Sequence, residues 1–492
     1  MSDVHTSPGD TTGSAPPNPN AIVAVLAFAG IVVSLMQTLV IPIVPKLPEY
    51  LNASAADTAW AVTATLLAAA VATPIAGRLG DMYGKRRMLL LGLGTLAIGS
   101  ATVALSDSLT PVIIGRVLQG LSAGVIPLGI SIMRDELPAE KLGTSTALMS
   151  ASLGIGAALG LPIAAFVADN FDWHSLFWAS AALGAAALVL VLMLVPESKV
   201  RTGGRFDLLG GIGLAAGLVC LLLGISKGGD WGWGSGTTLG LFAASVVILV
   251  AWGFFELRTT QPLVDLRVTA KPQVLFTNLA GLAFGFSLFA VQLIIPQILQ
   301  LPEQTGYGLG KDLLTVGLVL APQGIVVMIA APLSAVISKA KGPRVALMIG
   351  AVVTAAGYAL NIVMMSEIWE LVLVSCVIGA GIGLAYGALP MLIMGAVPTS
   401  ETAAANAFNT LMRSIGTSFA SAASGVILAQ MTTDFAGHAL PSENSFKVIM
   451  AIGCSAALVA LLLASFLPRH RAGATAHEAP AELAADPAAQ KA

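Results

Sequence analysis

Fourteen apolar segments divide this chain of 492 residues, near 21–43, 57–77, 88–105, 111–133, 143–168, 175–195, 207–226, 236–257, 275–299, 313–338, 345–365, 369–397, 403–430 and 447–467. A run of about 20 apolar residues crosses the ~30 Å of hydrocarbon in a bilayer. Hydrocarbon offers no water to unpaired backbone groups, so each segment must close its own hydrogen bonds as a helix. The expected fold class is therefore an all-α membrane protein. The chain is 56% hydrophobic and only 10% charged, too few charges to clothe a soluble protein of this size.

One stretch breaks the apolar pattern more sharply than any other. Gly77-Arg78-Leu79-Gly80-Asp81-Met82-Tyr83-Gly84-Lys85-Arg86-Arg87 sets three glycines and five charges between two apolar runs. Both residue types disfavour hydrocarbon, so a tight turn at the membrane surface is expected, with the Asp81 carboxylate held among cations. An even number of spans puts both chain ends on one side. Eighteen of the 24 Lys and Arg fall on that side and four (Lys46, Lys227, Lys311, Lys447) on the other, with Arg116 and Arg413 inside helices. Short cytoplasmic loops carry the basic excess, which places both termini in the cytoplasm.

The charged turn recurs weakly about 258 residues on, at Ser338-Lys339-Ala340-Lys341-Gly342-Pro343-Arg344. Gly342 would match Gly84, and Lys339 falls where Asp81 stands, so the carboxylate belongs to the first copy only. The offset suggests an internal repeat. The expected organisation is a disordered cytoplasmic tail (1–20), an N-terminal six-helix bundle (21–200), two inserted transmembrane helices with linkers (201–260), a C-terminal six-helix bundle (261–468) and a second disordered cytoplasmic tail (469–492). Residues 1–20 have no Lys or Arg and so lack the basic start of a secretory signal. Glycines four apart, such as Gly379, Gly383 and Gly387, allow close helix packing in lipid. Pro42, Pro74, Pro127, Pro162, Pro296, Pro322 and Pro390 mark candidate kinks.

The motif around Asp81 resembles the loop between helices 2 and 3 of the major facilitator superfamily, G-x-L-a-D-r-x-G-r-r. In helix 4, Arg116-Val117-Leu118-Gln119-Gly120 is similar to the family's R-x-x-q-G, whose arginine the resemblance links to proton coupling. In helix 13, Asn409, Arg413 and Gly416 resemble the N-x-x-x-R-x-x-G pattern of its fourteen-helix drug/proton antiporter branch. Trp60 and the residues up to Pro74 look like the family's second helix, with Trp60 an aromatic anchor at the outer interface. The resemblance spans about residues 21–467 and implies a major facilitator fold, two six-helix bundles plus two inserted helices. Two positions depart from the branch. Met36 stands where helix 1 usually carries an aspartate, two residues before Thr38. In helix 5, around Gly156, Gly160 and Pro162, the proline is displaced by one and paired glycines are replaced by Ala164 and Ala165.

No Asp or Glu lies well inside any of the fourteen segments. A membrane-embedded carboxylate is the simplest proton carrier and the simplest partner for a cationic drug. Its absence points to a neutral, amphipathic or anionic substrate, with Arg116 and Arg413 as contacts. A polar cavity lining would come from Gln37, Gln292, Gln323, Asn361, Asn406 and Asn409, each of which also suits an interhelical hydrogen bond. At the membrane surface, Asp81 held by Lys85 or Arg86 and coupled to Asp135 or Glu136 reads as a cytoplasmic gate, with Gly77 and Gly84 shaping the turn.

The expected function is secondary active transport: export of small amphipathic molecules by proton antiport and alternating access, a multidrug efflux activity tied to antibiotic resistance. Export and proton drive follow from the resemblance alone. A proton-independent facilitator or importer of a metabolite is the alternative within transport. A membrane sensor or enzyme would need an appended domain or a cluster of acids, histidines or metal ligands at a membrane face, and the sequence has neither. Cys220, Cys376 and Cys454 lie in apolar runs as small hydrophobes, and the five histidines lack metal-ligand spacing. No cofactor, metal or nucleic acid is expected. The implied partners are the lipid bilayer, a small-molecule substrate and protons, for a monomer in the plasma membrane.

Overall fold

The computed structural model describes residues 18–468, apart from 41–42, 44–45 and 436–437. Residues 1–17 of the first expected tail, the whole of the second and Pro42 lie outside the described residues, and α1 takes in the last two residues of the first tail. Fourteen long helices follow one another: α1 (Pro19–Thr38), α2 (Trp60–Tyr83), α3 (Lys85–Ala104), α4 (Leu109–Glu136), α5 (Ala139–Asn170), α6 (His174–Leu194), α7 (Leu208–Trp231), α8 (Gly236–Arg258), α9 (Pro272–Gln300), α10 (Leu313–Lys341), α11 (Pro343–Val363), α12 (Ile368–Met394), α13 (Thr402–Gln430) and α14 (Glu443–Ser465). Thirteen are long and apolar enough to cross a membrane. α5, at 32 residues, is the fourteenth. A short hairpin of β1 (Thr432–Phe435) and β2 (His438–Pro441), which the apolar pattern did not foretell, links α13 to α14.

Helices α1 to α6 enclose one core, built on side chains such as Leu26, Leu93, Ile130 and Phe177. Helices α9 to α14 enclose a second, around Phe284, Ile295, Tyr358 and Phe446. The two halves meet along two seams. On one, α5 packs against α10 and α12, and Ala147 and Ala151 interleave with Val327, Ala331 and Ala335. On the other, α2 and α4 pack against α13. The inserted α7–α8 pair covers this second seam, with Leu214 and Leu218 of α7 against Ala70 of α2 and Leu411 of α13. α8 itself is largely exposed along Val246, Val247 and Val250, as a lipid-facing helix should be.

Small residues set the spacing where helices cross. A Cβ at Gly383 would come within 2.9 Å of the Val327 carbonyl oxygen, and one at Gly387 equally close to that of Ala331, so the series in α12 lies directly against α10. Pro74, Pro162, Pro296, Pro322 and Pro390 sit inside helices. In α4 a 3₁₀ turn at Leu121–Gly124 precedes Pro127, a local tightening that tolerates the missing proline donor.

Candidate functional site

The charged stretch is not the surface turn that its composition suggested. Helix α2 runs on through Gly77, Asp81 and Tyr83, and α3 begins at Lys85, so the turn is Gly84 alone. Gly84 has φ 123°, where a side chain is strained, and its N–H donates to the Gly80 carbonyl at 3.0 Å. Carrying the helix onward puts Gly77 and Asp81, four residues apart, on one face. That face meets the start of α13. A Cβ at Gly77 would stand 2.6 Å from the Ala407 Cβ and 2.7 Å from the Ala403 carbonyl oxygen, so only glycine lets the helices approach this closely.

One turn further along, the fully buried Asp81 carboxylate accepts the backbone N–H groups of Ala403 at 3.2 Å and Ala404 at 2.8 Å. These first-turn amides have no acceptor within their own helix, and the helix dipole adds partial positive charge there. Asp81 thus caps α13 from the other half of the molecule. Lys85, also fully buried, stands 3.7 Å from the Asp81 carboxylate and donates to Asp135 at 2.5 Å. The Ser198 hydroxyl donates to the same Asp135 oxygen at 2.5 Å. Lys85 therefore bridges two carboxylates, and its closer partner is Asp135 rather than Asp81.

Arg86 does not hold Asp81. Its guanidinium donates to the Leu192 carbonyl near the end of α6, and its backbone N–H to Glu197. The second seam has a further fastening that sequence reasoning did not single out. Arg134 of α4 donates to the Thr402 hydroxyl at 2.6 Å and to the Val397 carbonyl at 3.1 Å. Arg134, Glu197 and Ser198 were legible only as topology-setting charges and a polar break after α6, and backbone amides such as Ala404's carry no side-chain signal at all. In the second copy, Gly342 also turns the chain with positive φ, at 89°, while Lys339 is exposed.

Arg116 is 1% exposed and does not reach for the membrane surface. Its guanidinium donates to the carbonyls of Ala61 at 2.9 Å and Met36 at 3.2 Å and to the Gln119 side chain at 2.7 Å. Gln119 in turn donates to the Ser100 hydroxyl at 2.8 Å. One cation thereby ties together α1, α2, α3 and α4. Met36, the residue in place of an acid, contributes its carbonyl, so peptide dipoles face the charge. A Cβ at Gly120 would come within 2.8 Å of the Ala68 Cβ. Gly156 and Gly160 lie against Ser34 and Thr38 of α1, whose hydroxyls donate to the Leu153 and Gly156 carbonyls. Pro162 abuts Gly317 of α10.

In the other half, Arg413 is 6% exposed, lies 4.5 Å from the centre of the Tyr386 ring and donates to the Thr410 hydroxyl at 3.1 Å. Asn409 donates to Asn278 at 3.0 Å, and Asn406 to the Thr402 carbonyl at 2.9 Å. Asn361 is fully buried with neither amide atom bonded, and the Gln323 amide nitrogen is likewise unpartnered among the described residues. Gln37 and Gln292 are half-buried. A cavity of about 420 Å³ lies at the end of the molecule that carries Asp81, between α2, α9, α13 and the two linkers flanking the inserted pair; Asn278 lines it, and none of these six side chains does. Among the described residues no group of His, Cys, Asp and Glu is arranged to hold a metal ion.

A fourteen-helix molecule in two six-helix halves, with a charged helix end closing one seam, has the form of a membrane transporter. The family model of the Major Facilitator Superfamily matches residues 26–421, and the chain belongs to that family. It is a transporter of small molecules and not an enzyme. Among its relatives, the tetracenomycin C resistance and export protein of Streptomyces glaucescens is 27% identical over 83% of this chain and 76% of its own. Multidrug resistance protein 3 of Bacillus subtilis is 26% identical over 73% and 70%. A probable actinorhodin transporter of Streptomyces coelicolor is 26% identical over 83% and 72%. The crystal structure of a human organic anion transporter shares the fold, with a TM-score of 0.63 at 15% identity, covering 90% of this chain and all of that one.

Proposed function

We propose that this chain is a secondary exporter of small amphipathic molecules in the plasma membrane, working by alternating access between its two halves and driven by the proton gradient, with both termini in the cytoplasm. The observation that carries the reading is the capping of α13 by Asp81. It is a buried, charge-dependent contact between halves that have to separate if a central site is to open to the cytoplasm. The relatives named for tetracenomycin export and multidrug resistance support the direction of transport and the drug-like class of substrate. Their names also support a part in antibiotic resistance.

In this reading Gly77, Asp81, Gly84, Lys85 and Asp135 form the cytoplasmic gate, joined by Arg134. Protonation or rearrangement of the carboxylates around Lys85 removes the charge that holds α13. Arg116 with Gln119 keeps the first four helices in register, and Arg413 with Asn409 serves the substrate path. The neutral and anionic amphipaths are favoured as cargo, because no acid stands deep in the membrane to pair with a cation. The test is transport into everted vesicles with the pH on each side set independently, across cationic, neutral and anionic compounds. Proton release on adding a transported compound supports antiport. Compound movement that is indifferent to a collapsed proton gradient makes the protein a facilitator.

A further inference from the structure

The 420 Å³ cavity beside the Asp81 contact has a chemistry of its own. Arg78, one turn before Asp81 on α2, and Arg201, on the linker after α6, both line it. Among the described residues neither guanidinium makes a hydrogen bond or an ion pair. Asn278 is 2% exposed, and its amide nitrogen has no acceptor although its oxygen is bonded by Asn409. A buried amide donor left unpaired costs roughly 1–3 kcal/mol unless something accepts from it. The remaining wall is apolar, chiefly Leu263, Val264 and Phe408. Two acids also line the cavity: Asp265, whose carboxylate accepts the N–H groups of Arg267 and Val268, and Glu401.

We infer that this cavity binds an amphipathic organic anion, its charged head between Arg78 and Arg201, and its apolar body against Leu263, Val264 and Phe408. Arg78 and Arg201 balance Asp265 and Glu401 in formal charge, but Asp265 is held by backbone N–H groups whereas both guanidiniums are unpaired among the described residues, and an arginine fork suits a carboxylate or phosphate. The location gives binding a consequence. Ala404, whose N–H is held by Asp81, lines the same cavity, and the Thr202 N–H donates to the Asp81 carbonyl at 2.9 Å. An occupant would touch both halves where they meet and favour the closed arrangement of this end. It would act as an effector at a site apart from the transported cargo. The inference needs only this cavity and stands whether or not the chain exports by proton antiport.

The full-length protein carrying Thr260→Cys, with Cys220, Cys376 and Cys454 changed to alanine, provides the assay in phosphatidylcholine nanodiscs. The rate at which a water-soluble maleimide alkylates position 260, on the rim of the cavity, is measured with decanoate, decanol or decyltrimethylammonium present. Decanoate should slow alkylation several-fold, and the neutral and cationic chains should not. Arg78→Gln should weaken the decanoate effect about tenfold, the loss of one charge-assisted contact, Arg78→Lys should restore part of it, and Glu401→Gln should strengthen it. Slowing in phosphatidylglycerol discs without decanoate would assign the anion to a lipid headgroup, and slowing by added decanoate to a free amphiphile; either upholds the site. Equal slowing by all three chains, or an unchanged decanoate effect in a well-folded Arg78→Gln protein, overturns it.

Discussion

The Asp81 carboxylate accepts the N–H of Ala404 at 2.8 Å, though 323 positions separate the two along the chain. The contact joins the end of α2 in one half to the first turn of α13 in the other. It places a buried negative charge against helix amides that have no acceptor in their own helix. Neither group could be buried this way alone, since an unpaired carboxylate and an unpaired amide each cost free energy away from water.

Asp81→Asn should insert normally and transport poorly. The amide keeps one acceptor oxygen but loses the charge, and a hydrogen bond to an ionised group contributes ~1.5–3 kcal/mol against ~0.5–1.5 kcal/mol for a neutral one. The closed arrangement should weaken by roughly 1–2 kcal/mol, a 5- to 30-fold shift in its population. Transport in vesicles, normalised to membrane protein by immunoblot, measures this. Wild-type rates would mean that the capped helix is not a gate.

Gly77→Val should obstruct the same closure by a different route. The position where a Cβ would sit is 2.6 Å from the Ala407 Cβ, far inside the ~3.5–4.0 Å at which carbon atoms pack. Alkylation of Ser400→Cys, at the adjoining helix start, should run faster in the Gly77→Val protein. Gly77→Ala should lie between that variant and the wild type. Equal rates in all three would show that α2 and α13 do not need this approach.

Lys85→Met should destabilise more than Lys85→Met combined with Asp135→Asn. Lys85 and Asp135 form a 2.5 Å ion pair with 0% and 2% side-chain exposure. Removing one member of a buried pair costs ~3–5 kcal/mol, while neutralising both is far milder. Thermal unfolding in detergent distinguishes the two, and a single variant at least as stable as the double would show that the ammonium is not needed to balance Asp135.

Met36→Asp should be tolerated better than Leu35→Asp, although both side chains are buried. The Met36 sulfur already lies 3.8 Å from the Ser100 hydroxyl, which also accepts from Gln119, and Arg116 stands on the Met36 carbonyl. An acid at 36 therefore finds donors and a cation, whereas none of these contacts is made by Leu35. Yield of folded protein on gel filtration reports the difference. Arg116→Ala should lower that yield sharply, because it removes the donor that joins the Ala61 and Met36 carbonyls to the Gln119 side chain.

The helix count was legible because it follows from local composition. Arg116 was legible as a special residue, since a cation in an apolar helix must find a partner, but its partners were not. Two of them are the carbonyls of Ala61 and Met36, and every residue has a carbonyl. Burial of Asp81 and Lys85 was not legible for a related reason. The glycines and charges around them suggested water, whereas both are fully buried because α13 and Asp135 supply what water would have supplied.

By itself the sequence determined that the chain crosses the membrane as helices, because ~20 apolar residues have no other way to satisfy their backbone in hydrocarbon. It also determined which helix end bears the Gly77 and Asp81 motif. Only the tertiary structure decided that this end is closed by the start of α13, that Lys85 answers to Asp135, and that the inserted pair covers the seam between α2 and α13. Those outcomes depend on backbone amides and close-packed faces brought together from hundreds of residues apart, and neither leaves a mark in local composition.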